Sequence, residues 1–308
     1  MITAPPAAAM PRPGDLIDEG IYQMKRTAVE VLAGLLLSGA LLAQTPSQDP
    51  SHLMRIFRED IKSGKGAAHE KVESAYVRTF SKAGYTNYLA LEDVTGTSQA
   101  WFLERYDNYE ALEKAIHLTD AEPLKSTLQQ LDAQDGELRS GDRNMIATYQ
   151  PALSYLPGPP NLIKNRFYTI TTVRIRPGRN ADFKELRKMV NEAYAKVGQK
   201  RRFVVYSVNS GMPAGTYLIF SGMESLTALD PVPGAMTMQE ALGADNTAKY
   251  SKLYSDTIVS SENTLFAVNP KMSNPPKEYI AADPSFWAPK PAAAKPAAKP
   301  ASTPPAQK

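Results

Sequence analysis

Two periods of apolar spacing follow each other along this chain, and they do so twice. In LMRIFREDI (53–61) and RFYTITTVRI (166–175), apolar and polar residues alternate among β-branched neighbours, a half-buried strand pattern. After each run the spacing changes. Val72, Tyr76, Phe80 and Ala83 step by four, four and three, and Leu186, Val190, Tyr194 and Val197 do the same. Such steps place an apolar stripe along one side of a helix. NYLALEDV and RFVVYSV read as second strands, AWFLERY and TYLIFSG as third strands, with a Gly-containing turn between. A short helix is expected from Asn108 or Glu224, and a longer helical stretch over 121–139 or 237–258. MIATYQ and TLFAVN close each series as fourth strands.

The two series are in register. Ile61, Lys62, Gly64 and Lys65 fall on Ile175, Arg176, Gly178 and Arg179 at a constant separation of 114. Towards the end, Asn144, Pro151 and Ser154 fall on Asn263, Pro270 and Ser273, now 119 apart, as loop insertions would produce. Self-similarity at a fixed period indicates a repeated unit. The repeats are 53–157 and 166–276, joined by a Pro/Gly-rich linker over 158–165.

Each repeat has the order β-α-β-β-α-β, the ferredoxin-like arrangement. A sheet with helices on one face leaves the other face bare, and two copies can cover each other. The fold class expected is α+β: two tandem ferredoxin-like β-α-β-β-α-β units forming a pseudo-dimeric α/β barrel. A strand ending in Ile-x-Pro-Gly-[Lys/Arg], as at Ile175–Arg179, followed by an amphipathic helix and a hairpin, resembles the dimeric α/β-barrel superfamily. It is most similar to the NIPSNAP-like and antibiotic-biosynthesis-monooxygenase-like branches, and the resemblance covers 53–276. It implies two units packed into a closed or nearly closed barrel. It implies no single reaction, because such relatives include monooxygenases, haem enzymes and isomerases. No catalytic motif of those relatives is matched residue by residue.

The ends of the chain carry other signals. Met24 is followed by Lys25 and Arg26, then by thirteen mostly apolar residues from Val31 to Ala43. That is a secretory signal peptide over 24–43, too short for a membrane span of roughly 20 residues. Cleavage is expected after Ala43, with Ala40 as the alternative. Residues 1–23 read as a start-site artefact or a disordered extension, and 44–52 as a linker. Tyr279, Phe286 and Trp287 suggest that 277–288 docks on the folded body. Residues 289–308 are a low-complexity Pro/Ala/Lys tail. The expected location is periplasmic or secreted, with no stable membrane span after cleavage. The tail either solubilises the chain or contacts an anionic envelope polymer.

Composition narrows the chemistry. Of 308 residues, 35 are basic and 32 acidic, a balance that argues against nucleic acid as a partner. The absence of cysteine excludes disulfides, thiolate metal sites and Cys nucleophiles. The turn around Gly64, Lys65 and Gly66 matches neither phosphate-binding glycine motif, and its counterpart holds a proline. A corner requiring positive φ at Gly64 and Gly178 is expected instead.

His69 falls on the buried stripe of its helix where the second repeat has Phe183. It reads as a packed histidine with one hydrogen-bond partner; the alternative is a haem or metal ligand, or a proton carrier. Arg55, Arg58, Glu59 and Asp60 load the first strand with charge, lining either a polar cavity or a rim. Glu104 lies between Phe102 and Tyr106 on one strand face, with Trp101 on the other, and Tyr217 matches Trp101 in the repeat. The candidate ligand-binding residues are thus Arg58, His69, Trp101, Glu104 and Tyr217, around a small apolar or aromatic ligand in the barrel. No resident cofactor or metal is expected; haem through His69 is the alternative. A binding or structural role is the first functional expectation. The alternative is an enzyme, either a cofactor-independent monooxygenase-like protein or a haem-dependent one.

Overall fold

The structure is a computed structural model and describes residues 49–85 and 88–288. Residues 24–43, read above as a signal peptide, the preceding 1–23 and residues 289–308, read as a tail, lie outside the described residues, as does most of 44–52, read as a linker.

The chain runs β1 (Leu53–Ile61), α1 (Gly66–Lys82), β2 (Tyr88–Asp93), β3 (Gln99–Tyr106), α2 (Tyr109–Asp120), α3 (Leu124–Gly136) and β4 (Arg139–Tyr149). It continues through β5 (Phe167–Ile175), α4 (Asn180–Lys196), β6 (Val204–Ser210), β7 (Thr216–Met223), α5 (Met238–Leu242), α6 (Ala244–Thr257) and β8 (Ile258–Val268). Two short helices, α7 (Lys277–Ala282) and α8 (Pro284–Trp287), end the described chain. No helix among the described residues is long and apolar enough to cross a membrane.

The strands form one closed barrel in the order β1-β3-β2-β8-β5-β7-β6-β4, and their pairings are antiparallel. This corrects the expectation of two tandem ferredoxin-like β-α-β-β-α-β units forming a pseudo-dimeric α/β barrel. The strands that would be free edges of such units are not free. β2 pairs with β8 through Leu91 and Val268, and β4 pairs with β6 through Thr148 and Ser207. An unpaired edge leaves a row of backbone N–H and C=O groups unsatisfied, and closure removes it. Between β3 and β4 stand α2 and α3, where the sequence placed a short helix from Asn108 and a longer helical stretch over 121–139.

Strand alternation divides the core. Even-numbered residues of β1, Met54 and Ile56, point into the barrel with Leu91, Trp101, Phe266 and Leu218. Odd-numbered Leu53 and Phe57 pack outward beneath the helices with Tyr88, Phe102 and Leu112. Phe183, Val173 and Ile219 make the corresponding outer cluster under α4. The barrel interior is therefore lined with apolar side chains from both halves. α7 and α8 bring Tyr279 and Trp287 into the interior cluster; the Trp287 indole donates to the Ile163 carbonyl at 3.0 Å, and the Arg166 guanidinium lies 3.8 Å from the Phe286 ring centre.

The corners between β1 and α1 and between β5 and α4 share one geometry. Gly64 has φ +75° and Gly178 has φ +81°, with Lys65 N–H donating to Lys62 O at 3.0 Å and Arg179 N–H to Arg176 O at 3.2 Å. Only glycine enters that region without steric cost. β4 and β8 begin earlier than their apolar runs suggest. The polar stretch Arg139–Asn144 extends the ladder along Phe57–Ile61, where backbone pairing needs no apolar side chain.

Candidate functional site

A cavity of about 410 Å³ lies on the outer side of the sheet, between β1, β3 and β4 and the helices α1 and α3. Phe57, Phe80, Tyr88 and Phe102 give it aromatic walls, while Arg55, Glu104, Glu59, Glu73 and Arg139 supply charge. Its size and mixed lining are those of a small-molecule site. Asp132, Asp142 and Asn144, all exposed, belong to its solvent side. The Tyr88 hydroxyl is buried and has no hydrogen-bond partner among the described residues.

At one end Arg55 and Glu104 face each other across β1 and β3, and Arg55 Nε donates to Glu104 Oε2 at 2.5 Å. Tyr85 donates to Glu104 Oε1 at 2.7 Å, Tyr106 to Oε2 at 2.9 Å, and the two hydroxyls lie 2.7 Å apart. Glu104 is 5% exposed, so the carboxylate depends on these donors. Burial raises both tyrosine pKa values above their usual range, and the adjacent Glu104 charge adds to the shift. Burial opposes the charge on Arg55, yet Glu104 holds that guanidinium more firmly protonated than usual.

At the other end four ligating groups converge. His69 and Glu73 are the two buried residues of α1 and sit one turn apart; Glu59 comes from β1 and Asp135 from the last turn of α3. One side-chain atom from each lies within 4.8 Å of the others. His69 Nε2 is 2.8 Å from Glu59 Oε2 and 3.6 Å from Asp135 Oδ1. Arg139 takes the outer oxygens, with Nη1 3.1 Å from Glu59 Oε1 and Nε 2.7 Å from Asp135 Oδ2. Tyr76 donates to Asp132 at 2.5 Å beside them. Burial, reinforced by the Glu59 and Asp135 charges, drives the Glu73 carboxyl well above the usual range. Burial and the Glu59 charge push Asp135 up to about 6, against the pull of His69 and Arg139.

Both ends of this site are confined to one half of the barrel. Strand register puts Arg139 opposite Ile61, where Ile258 stands opposite Ile175. His69 N–H donates to Lys65 O as Phe183 N–H donates to Arg179 O. On that register Glu59, His69, Glu73 and Arg139 correspond to Val173, Phe183, Arg187 and Ile258. The Arg55–Glu104 pair corresponds to Thr169 and Ser221, whose hydroxyls accept from Arg201 at 3.0 and 3.2 Å.

The five residues singled out in the sequence fall on two sides of the sheet. Trp101 is in the barrel interior, where its indole donates to Gln99 Oε1 at 2.8 Å. Arg58 shares that strand face near the rim and pairs with Asp60 at 3.1 Å. Glu104 lines the outer cavity, and His69 adjoins it. Tyr217 packs at a tilt against Phe183 in the other half, with ring centres 4.4 Å apart. Glu73 had a readable signal, a carboxylate one turn after His69 on the same stripe. Asp135 and Arg139 had none, because only tertiary folding brings them to β1. A haem does not fit His69: the ring is 1% exposed, and its Nε2 faces Glu59 and Asp135, which a porphyrin would have to displace.

Neither a described protein family nor a curated protein sequence matches the chain. Among solved structures, it is similar to a putative monooxygenase from Fusobacterium nucleatum subsp. nucleatum at 13% identity and TM-score 0.46, over 70% of this chain and 91% of that one. An anthrone oxidase-like protein is 14% identical with TM-score 0.49, over 72% and 93%. A mutant chlorite dismutase from Candidatus Nitrospira defluvii is 7% identical with TM-score 0.43, over 76% and 96%. The structural neighbours of this chain thus carry the names of putative monooxygenases and chlorite dismutases. Similarity at this level transfers no activity, and the chemistry of this chain is read from its own cavity.

Proposed function

We propose that this protein binds a small aromatic molecule bearing hydroxyl or keto groups in the cavity outside the sheet. One observation carries this reading: aromatic walls from Phe57, Phe80, Tyr88 and Phe102 stand between two charged ends, Arg55–Glu104 and Glu59–Glu73–Arg139. The rings favour offset or edge-on contact with a planar ligand, and the charged ends and the Tyr88 hydroxyl orient its polar groups. Calorimetry with a panel of dihydroxynaphthalenes and hydroxyanthrones tests this. Saturable binding is expected, weakened at least tenfold by Leu128→Trp, which fills the cavity from α3. No binding across the panel, or binding indifferent to Leu128→Trp, overturns it.

The enzymatic reading rests on Asp135, whose carboxyl is pushed up to about 6 beside the same cavity. Groups that exchange protons near neutral pH can remove a ring proton. Oxygenation without a cofactor would follow: one atom of O₂ replaces two hydrogens of a ring CH₂ as C=O, and the other leaves as water. Oxygen uptake with the hydroxyanthrones, matched by product mass, is the expected signature. Binding without uptake removes the enzyme and leaves the binding protein.

Export and duplication belong to the same proposal. The charged and apolar segment 24–43 supports export to the periplasm or beyond, with the lysine-rich tail resting on an anionic envelope polymer. Cell fractionation and N-terminal sequencing test it, with mature chains starting at Gln44 or Leu41 expected. The pairing of β1 with β3 and β4, repeated as β5 with β7 and β8, supports a tandem duplication related to the NIPSNAP-like branch.

A further inference from the structure

We propose that Glu59, His69, Glu73 and Asp135 form a site for one divalent transition cation of the Mn²⁺ or Zn²⁺ class. The inference does not depend on the aromatic ligand, although Glu59 and Glu73 also face its cavity. Three carboxylates and one imidazole are a donor set for such ions, whereas Mg²⁺ and Ca²⁺ prefer oxygen ligands alone.

The donor atoms are already gathered within 4.8 Å of one another. Metal bonds of about 2.0–2.2 Å would draw them together by small side-chain rotations. Arg139 divides the carboxylates in a way that suits a cation. It holds Glu59 Oε1 and Asp135 Oδ2, so that Glu59 Oε2 and Asp135 Oδ1 turn inward to His69 Nε2. That is the outer support a ligating carboxylate ordinarily has.

Burial within the cluster points the same way. Glu73 is 6% exposed, and its carboxyl belongs to the cluster and lines the cavity beside it. Asp135 is 1% exposed, and its inward Oδ1 has no hydrogen-bond partner. Buried carboxyl oxygens are ordinarily satisfied, and an unsatisfied one turned into a cluster of three further ligating groups is explained by a cation there. The equivalent place in the other half holds Val173, Phe183 and Arg187, a set that repels a cation.

The test uses the whole chain stripped with a chelator. Calorimetry with MnCl₂ and ZnCl₂ is expected to give one saturable site, weakened at least tenfold by Glu73→Gln and by Asp135→Asn. Electron spin-echo modulation of the wild-type Mn²⁺ complex is expected to show nitrogen coupling from His69, and it does not depend on how any variant folds. No saturable uptake, an absent nitrogen coupling, or Mg²⁺ binding as tightly as Mn²⁺ overturns the proposal. Leu128→Trp should block the aromatic ligand and leave cation affinity unchanged, so the two readings fail separately.

Discussion

Removing Arg55 tests the organisation of the cavity most directly. Arg55→Met keeps much of the side-chain volume but takes away the cation that faces Glu104 at 2.5 Å. Glu104 would keep Tyr85 and Tyr106 as donors. It would nevertheless become a buried carboxylate without a counter-charge. Breaking such a pair costs about 3–5 kcal/mol. The Arg55 side chain is 17% exposed and the cavity reaches solvent, so water can replace part of the lost interaction. The lower end, about 3 kcal/mol, is therefore expected. With a urea dependence of about 2–3 kcal/mol per molar, the unfolding midpoint should fall by roughly 1 M at unchanged slope. Replacing both residues, Arg55→Met with Glu104→Met, removes the orphaned charge along with its partner and should cost less than Arg55→Met alone. The double-mutant cycle then gives a coupling of about 2 kcal/mol or more. A coupling below about 0.5 kcal/mol would mean that Glu104 is not held as a paired carboxylate, and the electrostatic account of this end would fall.

Asp135 makes stability depend on pH in a definite direction. Its pKa rises from an ordinary 3.8 to about 6 in the fold, so the protonated form is favoured. Its contribution is complete below about pH 4 and declines as pH rises through about 6, by at most about 3 kcal/mol. Asp135→Asn should flatten that part of the stability profile, measured by urea unfolding with chelator present. Gly64→Ala should cost about 1–2 kcal/mol by thermal unfolding, because φ is +75° and nothing lies within 4 Å to add a clash. Trp287→Ala should cost about 3–5 kcal/mol, since the indole is 3% exposed and donates to Ile163 O. A loss under about 1 kcal/mol would show that α8 is not part of the core.

Local order was legible from sequence because it depends on period and turn chemistry. Alternation in LMRIFREDI identified β1, the four- and three-residue steps identified α1 and α4, and the paired glycines identified the corners. The asymmetry at His69 and Phe183 was also visible, and it marks the half that carries the charged site. Which strand edges meet to close the barrel was not visible. Alternation says which face of β2 or β4 is buried, but not which backbone its edge will find, and the partners β8 and β6 are distant in the chain. The location of the cavity was missed for a related reason. Apolar residues of both halves line the barrel interior, while the cavity with charged ends lies outside the sheet. There Glu59, His69, Glu73 and Asp135 meet from a strand and two helices, and no spacing along the chain records a meeting that only packing creates.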